Sequence, residues 1–262
     1  MRIGEQTRAV VTGASQGIGL ATARALAQRG AAIGLIAREP KRLEAVAREL
    51  GAGATPLAAD VADREAVTAA IESFVREAGG LELAIANAGI ARYAPFAEQD
   101  PEDCERMVQT NVLGTINTVR AALTPMLDAG QGHVVVVSSG AGLRAFPWGA
   151  VYGATKAANK GFAEALRHEL SGTGVSLTTV FPGEVTTALH AEAESLPDWR
   201  NSEQEVSAEA VAEATLAAIE RDRREVHIPR QVRLLALNDV APGMVDRLLA
   251  MIRGGAAAPR RY

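Results

Sequence analysis

Tyr152 and Lys156 stand four residues apart in Tyr152-Gly153-Ala154-Thr155-Lys156, a spacing that puts two side chains on one face of a helix within a turn of each other. The pair can do proton chemistry. A hydride arriving at a carbonyl carbon leaves charge on the oxygen, and a proton donor must meet it; a tyrosine of ordinary pKa, about 10, exchanges protons slowly near neutrality. A nearby ammonium favours tyrosinate and lowers that pKa, so the phenol can donate to a forming alcohol or accept from one being oxidised. Ser139 lies 13 residues before Tyr152, just past Val134-Val135-Val136-Val137, and its hydroxyl can hydrogen-bond a substrate oxygen as charge develops. Ser138 competes for that role, because pattern alone does not fix a strand end to one residue. A Tyr and a Lys at this spacing also arise as a plain helix-surface pair, so the surrounding elements decide the reading.

Those elements alternate. Short aliphatic runs predict strands over Arg8 to Thr12, Ala32 to Ala37, Ala54 to Ala58, Leu83 to Ala86, His133 to Ser138, Val175 to Phe181 and Glu225 to Ile228. Between them, apolar residues at helical intervals predict helices over Gly17 to Arg29, Lys41 to Leu50, Arg64 to Ala78, Glu102 to Asp128, Val151 to Leu170 and Ala208 to Asp222. Strand and helix in alternation imply βαβ units and a parallel sheet, and the unbroken valine run suits a strand covered on both faces. Gly30, Gly51, Gly79-Gly80, Gly130 and Gly172 stand where helices should stop.

The segment Thr12-Gly13-Ala14-Ser15-Gln16-Gly17-Ile18-Gly19 follows the first strand and opens the first helix. Glycines there let the backbone turn and a pyrophosphate approach, and the helix start offers unpaired N–H groups at its positive dipole end. A strand-to-helix turn with nothing bound is the plainer alternative.

The spacing G-x-x-x-G-x-G resembles the short-chain dehydrogenase/reductase family. Three further segments resemble it too: Asp60-Val61 the pair that contacts adenine, Asn87-Ala88-Gly89 the N-A-G element, and Pro182-Gly183-Glu184-Val185-Thr186-Thr187 the P-G-x-V-x-T segment on the nicotinamide carboxamide. The family often carries a second Asn where this chain has Ala86. The resemblance runs from Thr7 to about Ile228. It implies a single doubly wound α/β domain of Rossmann type, with a seven-stranded, mainly parallel sheet flanked by helices. It also implies a catalytic set of Asn111, Ser139, Tyr152 and Lys156, in which Asn111 holds a water linking the lysine to solvent. Read alone, Asn111 is a buried amide that bonds backbone at a helix bend. The cofactor surface implied comprises Gly13, Ser15, Gln16, Gly17, Ile18, Gly19, Arg38, Asp60, Val61, Asn87, Ala88, Gly89, Tyr152, Lys156, Pro182, Gly183, Val185 and Thr187.

Cofactor choice turns on the end of the second strand, Ile36-Ala37-Arg38-Glu39. Position 37 carries no carboxylate for a ribose 2′-hydroxyl, whereas Arg38 offers forked donors to a 2′-phosphate, which favours NADP(H) over NAD(H). Gln16 argues the other way, since some NADP-preferring relatives are basic there. Arg38 could also be a solvated helix-start residue.

Composition bounds the rest. Of 262 residues, 48% are hydrophobic and 22% charged, enough to form a core without disulfides or a structural metal. A net charge of −4 gives no general attraction to nucleic acid or an anionic membrane. Cys104 stands alone and four scattered histidines show no zinc spacing, so a metal-free protein of a reducing cytoplasm is expected. No apolar run approaches a membrane span of about 18 residues. Phe96, Leu143, Phe146, Trp148, Leu189 and Trp199 fall in loops after strand ends and suit an apolar small-molecule carbonyl or alcohol pocket, although each could instead be core. Residues 188–206 read either as a lid or as an acidic surface loop. The extension 230–253 reads as a subunit or pocket cover in preference to an interfacial membrane contact, with residues 254–262 as a loose tail. Relatives usually form dimers or tetramers through helices corresponding to 102–128 and 151–170. Three outcomes stay open: a reductase or alcohol dehydrogenase, an epimerase or dehydratase using the same chemistry, and a dinucleotide sensor or scaffold without catalysis.

Overall fold

The computed structural model describes residues 1–185, 205–243 and 247. Seven parallel strands form one sheet in the order β3-β2-β1-β4-β5-β6-β7, with β1 Arg8–Thr12, β2 Ala32–Ala37, β3 Ala54–Ala58, β4 Leu83–Ala86, β5 Gly132–Val137, β6 Val175–Pro182 and β7 Glu225–Ile228. The order reverses between β1 and β4, where the chain has wound first to one side and then to the other. In open α/β sheets, ligands bind in the crevice at the carboxyl ends of strands beside such a reversal.

Side chains alternate across the sheet and build two cores. Val11, Ile33, Leu35, Ile85, Val135 and Val137 pack with Leu26 of α1 (Gly17–Ala27), Leu43 of α2 (Pro40–Leu50) and Leu216 of α7 (Ala208–Glu220). On the other face, Val10, Ile36, Ala84, Val134 and Val136 meet Phe74 of α3 (Arg64–Ala78), Val119 of α5 (Gly114–Ala129) and Leu166 of α6 (Ala150–Glu169). All four valines of β5 are buried, at about 1.5–3 kcal/mol per side chain removed from water, so this strand is wedged in place on both sides. Ala86 also packs in the second core.

Helix ends follow their local chemistry. Asp63 caps α3 by accepting from the N–H groups of Glu65 and Ala66, and Gly79 ends it in the left-handed conformation. Gly130 ends α5 in the same way. One expected element is corrected. The stretch 102–128 is not a continuous α-helix but α4 (Pro101–Val108), a π turn over Gln109–Leu113, and α5. An extra residue in one turn leaves backbone groups that side chains must satisfy. Here Thr115 Oγ1 donates to the Asn111 carbonyl at 2.8 Å, while the Asn111 amide turns to the neighbouring loop.

Beyond β7, residues Arg230–Asp239 form 3₁₀ turns whose Val232 packs with Leu143 and Phe181, and Lys160 ties their end to α6 through Asp239 at 3.3 Å. Among the described residues, no helix is long and apolar enough to cross a membrane.

Candidate functional site

A cleft of about 370 Å³ opens at the carboxyl ends of the strands and runs from the glycine loop to the start of α6. Gly13, Ser15, Gln16, Gly17 and Ile18 form one wall. Gly13 and Gly17 have φ of +68° and +54°, a region open to glycine without a Cβ clash. Helix α1 starts with no side-chain cap and no acidic residue in its first turn, so its leading N–H groups are left for an anion. Gly19 does not line the cleft. It is packed behind the loop, where a Cβ would lie 2.2 Å from the Gly13 carbonyl oxygen and 2.6 Å from Asn87 Nδ2.

Thr12 joins this loop to the next. Its hydroxyl accepts from the N–H groups of Asn87 and Ala88 at 3.0 and 3.1 Å, and Asn87 Nδ2 donates to the Thr12 carbonyl at 2.9 Å. That threonine was not expected from sequence, and only its place at the end of a central strand could have pointed to it. Asn87, Ala88 and Gly89 thereby face the cleft as a unit.

At the opposite end, Arg38, Asp60 and Val61 line the cleft together with Glu39 and Arg42. Arg38 and Asp60 form a loose ion pair at 3.9 Å with both side chains well exposed. Asp60 Oδ1 also accepts from the Ala62 N–H, which holds the loop, and Asn117 Nδ2 donates to the Val61 carbonyl from α5. Arg42 was missed in the sequence, although it lies four residues after Arg38, in the first turn of α2. The end of the cleft thus carries two guanidiniums and two carboxylates.

The residues able to do proton chemistry meet at the other end. Tyr152, Lys156, Ser138 and Ser139 line the cleft with Pro182, Gly183 and Val185. The two serines divide their work. Ser138 is buried and donates to the Lys156 carbonyl at 2.8 Å, tying β5 to α6. Ser139 Oγ accepts from the Ala141 N–H at 3.1 Å, and its own proton is committed to no described residue. Lys156 is buried, donates to the Val137 carbonyl at 3.1 Å, and has its pKa lowered to about 8 by desolvation. Tyr152 is buried at 6% exposure against Tyr93, whose ring meets it edge-on with centroids 5.7 Å apart. Asn111 is fully buried behind the cleft wall. Its Oδ1 accepts from the Ile90 N–H and its Nδ2 donates to the Ile90 carbonyl.

The apolar residues expected to line a substrate pocket scatter. Phe96 is 63% exposed on a short 3₁₀ turn, and Leu143 is core, packed with Phe181 and Val232; neither reaches the cleft. Phe146 packs on Tyr93, 5.9 Å between centroids, beside Tyr152. Trp148 is partly buried in a left-handed backbone conformation and its carbonyl accepts from the Ala94 N–H. Thr187, Leu189 and Trp199 lie outside the described residues, as do most of 188–206 and all of the 254–262 tail. The two ends of that interval meet in a bridge between Val185 and Val206.

A family model for the short chain dehydrogenases matches residues 7–197. An uncharacterised oxidoreductase of Staphylococcus epidermidis is 33% identical over 206 residues, covering 79% of this chain and 89% of its own. Two solved structures are similar. An alcohol dehydrogenase from Thermococcus sibiricus, in complex with 5-hydroxy-NADP, has a TM-score of 0.76 at 30% identity, covering 84% of this chain and 95% of its own. A 3-ketoacyl-(acyl-carrier-protein) reductase from Brucella melitensis, in complex with NADH, has a TM-score of 0.77 at 27% identity, covering 82% and 91%. A sheet that reverses at β1, a glycine loop feeding an uncapped helix and a match across most of the chain agree: the protein belongs to the short-chain dehydrogenase/reductase family of oxidoreductases.

Proposed function

We propose that this protein interconverts a small carbonyl compound and its secondary alcohol with a nicotinamide dinucleotide, NADP(H) in preference to NAD(H). The observation that carries the reading is the placing of Ser139, Tyr152 and Lys156 on the wall of the same cleft that begins at the glycine loop. The dinucleotide, when bound, supplies or takes up the hydride. The glycine loop and the start of α1 suit its pyrophosphate, since no side chain or acidic residue competes there. Gly13, Gly17 and Gly89 line the cleft and put no side chain into it.

In this reading, Ser139 donates a hydrogen bond to the substrate oxygen, keeping its proton, and steadies the charge that develops there. Tyr152 donates the proton to that oxygen, or accepts it in oxidation. Lys156, as an ammonium, favours ionised Tyr152 and holds polar groups of the cofactor. Asn111 supports the return of the proton from solvent. Arg38 and Arg42 together supply donors for a 2′-phosphate, and the nearby Asp60 and Glu39 offset part of that charge, so NAD(H) is accepted less well rather than refused. The aromatic pair Tyr93 and Phe146 beside Tyr152 favours an apolar substrate.

The test is a panel: purified protein with NADPH against ketones, aldehydes, quinones and steroids, and with NADP⁺ against secondary alcohols, followed by the absorbance of the reduced cofactor. Turnover that is lost in Tyr152→Phe, with cofactor binding retained, is the expected result. Tight cofactor binding with silence across the panel favours a sensor, and net epimerisation or dehydration without cofactor turnover favours those reactions instead.

A further inference from the structure

Two backbone segments meet at the end of the cleft that carries Ser139. One is the 3₁₀ turn Gly140–Gly142, whose Ala141 N–H donates to Ser139 Oγ. The other is Pro182-Gly183, which lines the same cleft. Strands β5 and β6 are paired as far as Val137 and Val180, and the Ser138 N–H adds one more bond, to the Val180 carbonyl. The next bond of this parallel ladder would run from residue 182 to the Ser138 carbonyl, and a proline has no N–H to give. Among the described residues, no backbone hydrogen bond joins residues 139–143 to residues 182–185. The segments still touch: a Cβ on Gly140 would lie 3.6 Å from the Pro182 carbonyl oxygen.

Val232 covers this seam. Residues Arg230–Asp239 are wound as 3₁₀ turns, in which positions three apart lie on one side. Val232 and Leu235 therefore turn inward together, while Leu234 and Leu237 are exposed. The two methyl groups of Val232 divide between the segments: a Cβ on Gly140 would lie 3.3 Å from Cγ1, and one on Gly183 3.2 Å from Cγ2. Both glycines are packed so closely that a methyl group on either would press on the valine. The valine in turn has little freedom, because the Gly183 N–H donates to the Ile228 carbonyl at 2.7 Å and Asp239 ties the end of the same turns to Lys160 of α6. Val232 lies beyond residues 7–197, the stretch that the family model matches, so the cover is a feature of this chain's own extension.

We propose that Val232 is a positioning residue: it sets the separation between the turn that holds Ser139 and the Pro182-Gly183 backbone, where the ladder between β5 and β6 has ended. The inference rests on the reaction proposed above, in which Ser139 Oγ donates to the substrate oxygen. Cutting the side chain back to alanine removes both methyl groups from the seam. The two segments then gain freedom against each other, since no backbone hydrogen bond ties them across the gap. Ser139 Oγ follows its turn through the Ala141 N–H, so the donor is displaced from the substrate oxygen, and misplacing such a group lowers turnover steeply. The glycine loop is held separately, by Thr12 and Asn87, so cofactor contacts there do not change.

Val232→Ala and Val232→Thr are compared with wild type. Threonine keeps the branched shape but buries a hydroxyl, so both variants should melt below wild type while only alanine empties the seam. On a substrate found in the panel, Val232→Ala should lose about tenfold in kcat and Val232→Thr less than about threefold, with the cofactor KM of both within about twofold of wild type. Hydrogen exchange of the cofactor-free proteins gives a readout that needs no substrate: peptides over residues 139–143 should exchange faster in Val232→Ala than in Val232→Thr or wild type, with no change over the glycine loop. Wild-type exchange at 139–143 in the alanine variant overturns the proposal, and so does wild-type kcat. Turnover that falls with melting temperature in both variants, or failure of the alanine variant to fold, overturns it too, since the valine then serves only the core. Ser139→Ala, run alongside, separates the two claims: near-normal turnover there removes the donor role of Ser139, whereas loss there beside a normal Val232→Ala removes only the role of Val232.

Discussion

Lys156 Nζ lies 5.9 Å from the centroid of the Tyr152 ring while it donates to the Val137 carbonyl, so the ammonium is held beside the phenol by the end of a central strand. No carboxylate among the described residues pairs with it, and burial alone lowers its pKa to about 8. In the unfolded chain the same group titrates near 10.5. Between those values the unfolded state binds more protons, so stability rises as pH climbs through the window; the penalty is fully present below pH 8. Its size is on the order of 3 kcal/mol. Lys156→Met should therefore be more stable than wild type near neutrality, and its advantage should shrink as pH rises from about 8 to about 10.5. Urea unfolding of the cofactor-free proteins measures this, and a difference independent of pH would show that the lysine is not desolvated.

Arg42, in the first turn of α2, lines the same cleft as Arg38, which lies just before that helix. If both hold a 2′-phosphate, Arg42→Glu removes one charge-assisted contact and adds repulsion. Such contacts contribute about 1.5–3 kcal/mol each, which corresponds to a rise of about tenfold or more in the NADPH KM. The NADH KM should move by less than about twofold. Arg38→Asp should act in the same direction. Equal changes for the two cofactors, in either variant, would place the phosphate elsewhere.

Ser138 and Ser139 are adjacent and have opposite fates, which a pair of alanine variants can read out. Ser139→Ala removes a hydroxyl whose proton is committed to no described residue, and loss of such a donor costs about 10²–10³ in kcat, with about 1 kcal/mol of stability lost with its bond from the Ala141 N–H. Ser138→Ala breaks the tie to the Lys156 carbonyl and should cost about 1 kcal/mol of stability, with turnover largely kept. Reversal of that pattern would make Ser138 the substrate-facing residue.

Much of this was legible in the sequence for one physical reason. A parallel sheet is buried on both faces, so its strands read as aliphatic runs, and most predicted strands hold to within a residue; β5 starts at Gly132 rather than His133 and β6 reaches Pro182 rather than Phe181. Helical periodicity is less informative where one residue is added, so the pattern around Asn111 predicts continuous helix where the chain makes a π turn. Glycine spacing marked the loop but not the packing of each glycine: Gly19 is pressed against the Gly13 carbonyl and Asn87. Apolar residues near strand ends were the least legible. Leu143 and Phe96 fall in the same kind of loop after a strand end, and only the path of the chain sends one to the core and the other to solvent. Thr12 acts through Asn87 and Ala88, partners distant in sequence that no local pattern shows.

The task of Gly19 gives a stability test with its own control. Its α1 backbone meets the Gly13 carbonyl so closely that a methyl group would sit 2.2 Å from that oxygen, and backbone rather than a flexible side chain must move. Gly19→Ala should therefore push the loop away from the start of α1, at a cost of about 1–3 kcal/mol as for other overpacked sites. The displaced loop carries Gly13 and is held to Asn87, so cofactor affinity should fall with stability. Gly161 makes the comparison fair. It lies inside α6, has nothing within 4 Å of a built Cβ and adopts no positive φ, so Gly161→Ala should gain about 0.5–1 kcal/mol by restricting the unfolded chain. Thermal melting with and without NADPH reads both. A Gly19→Ala protein that melts and binds as wild type, beside a stabilised Gly161→Ala, would mean that the loop has room at Gly19 and that its glycine is dispensable for packing.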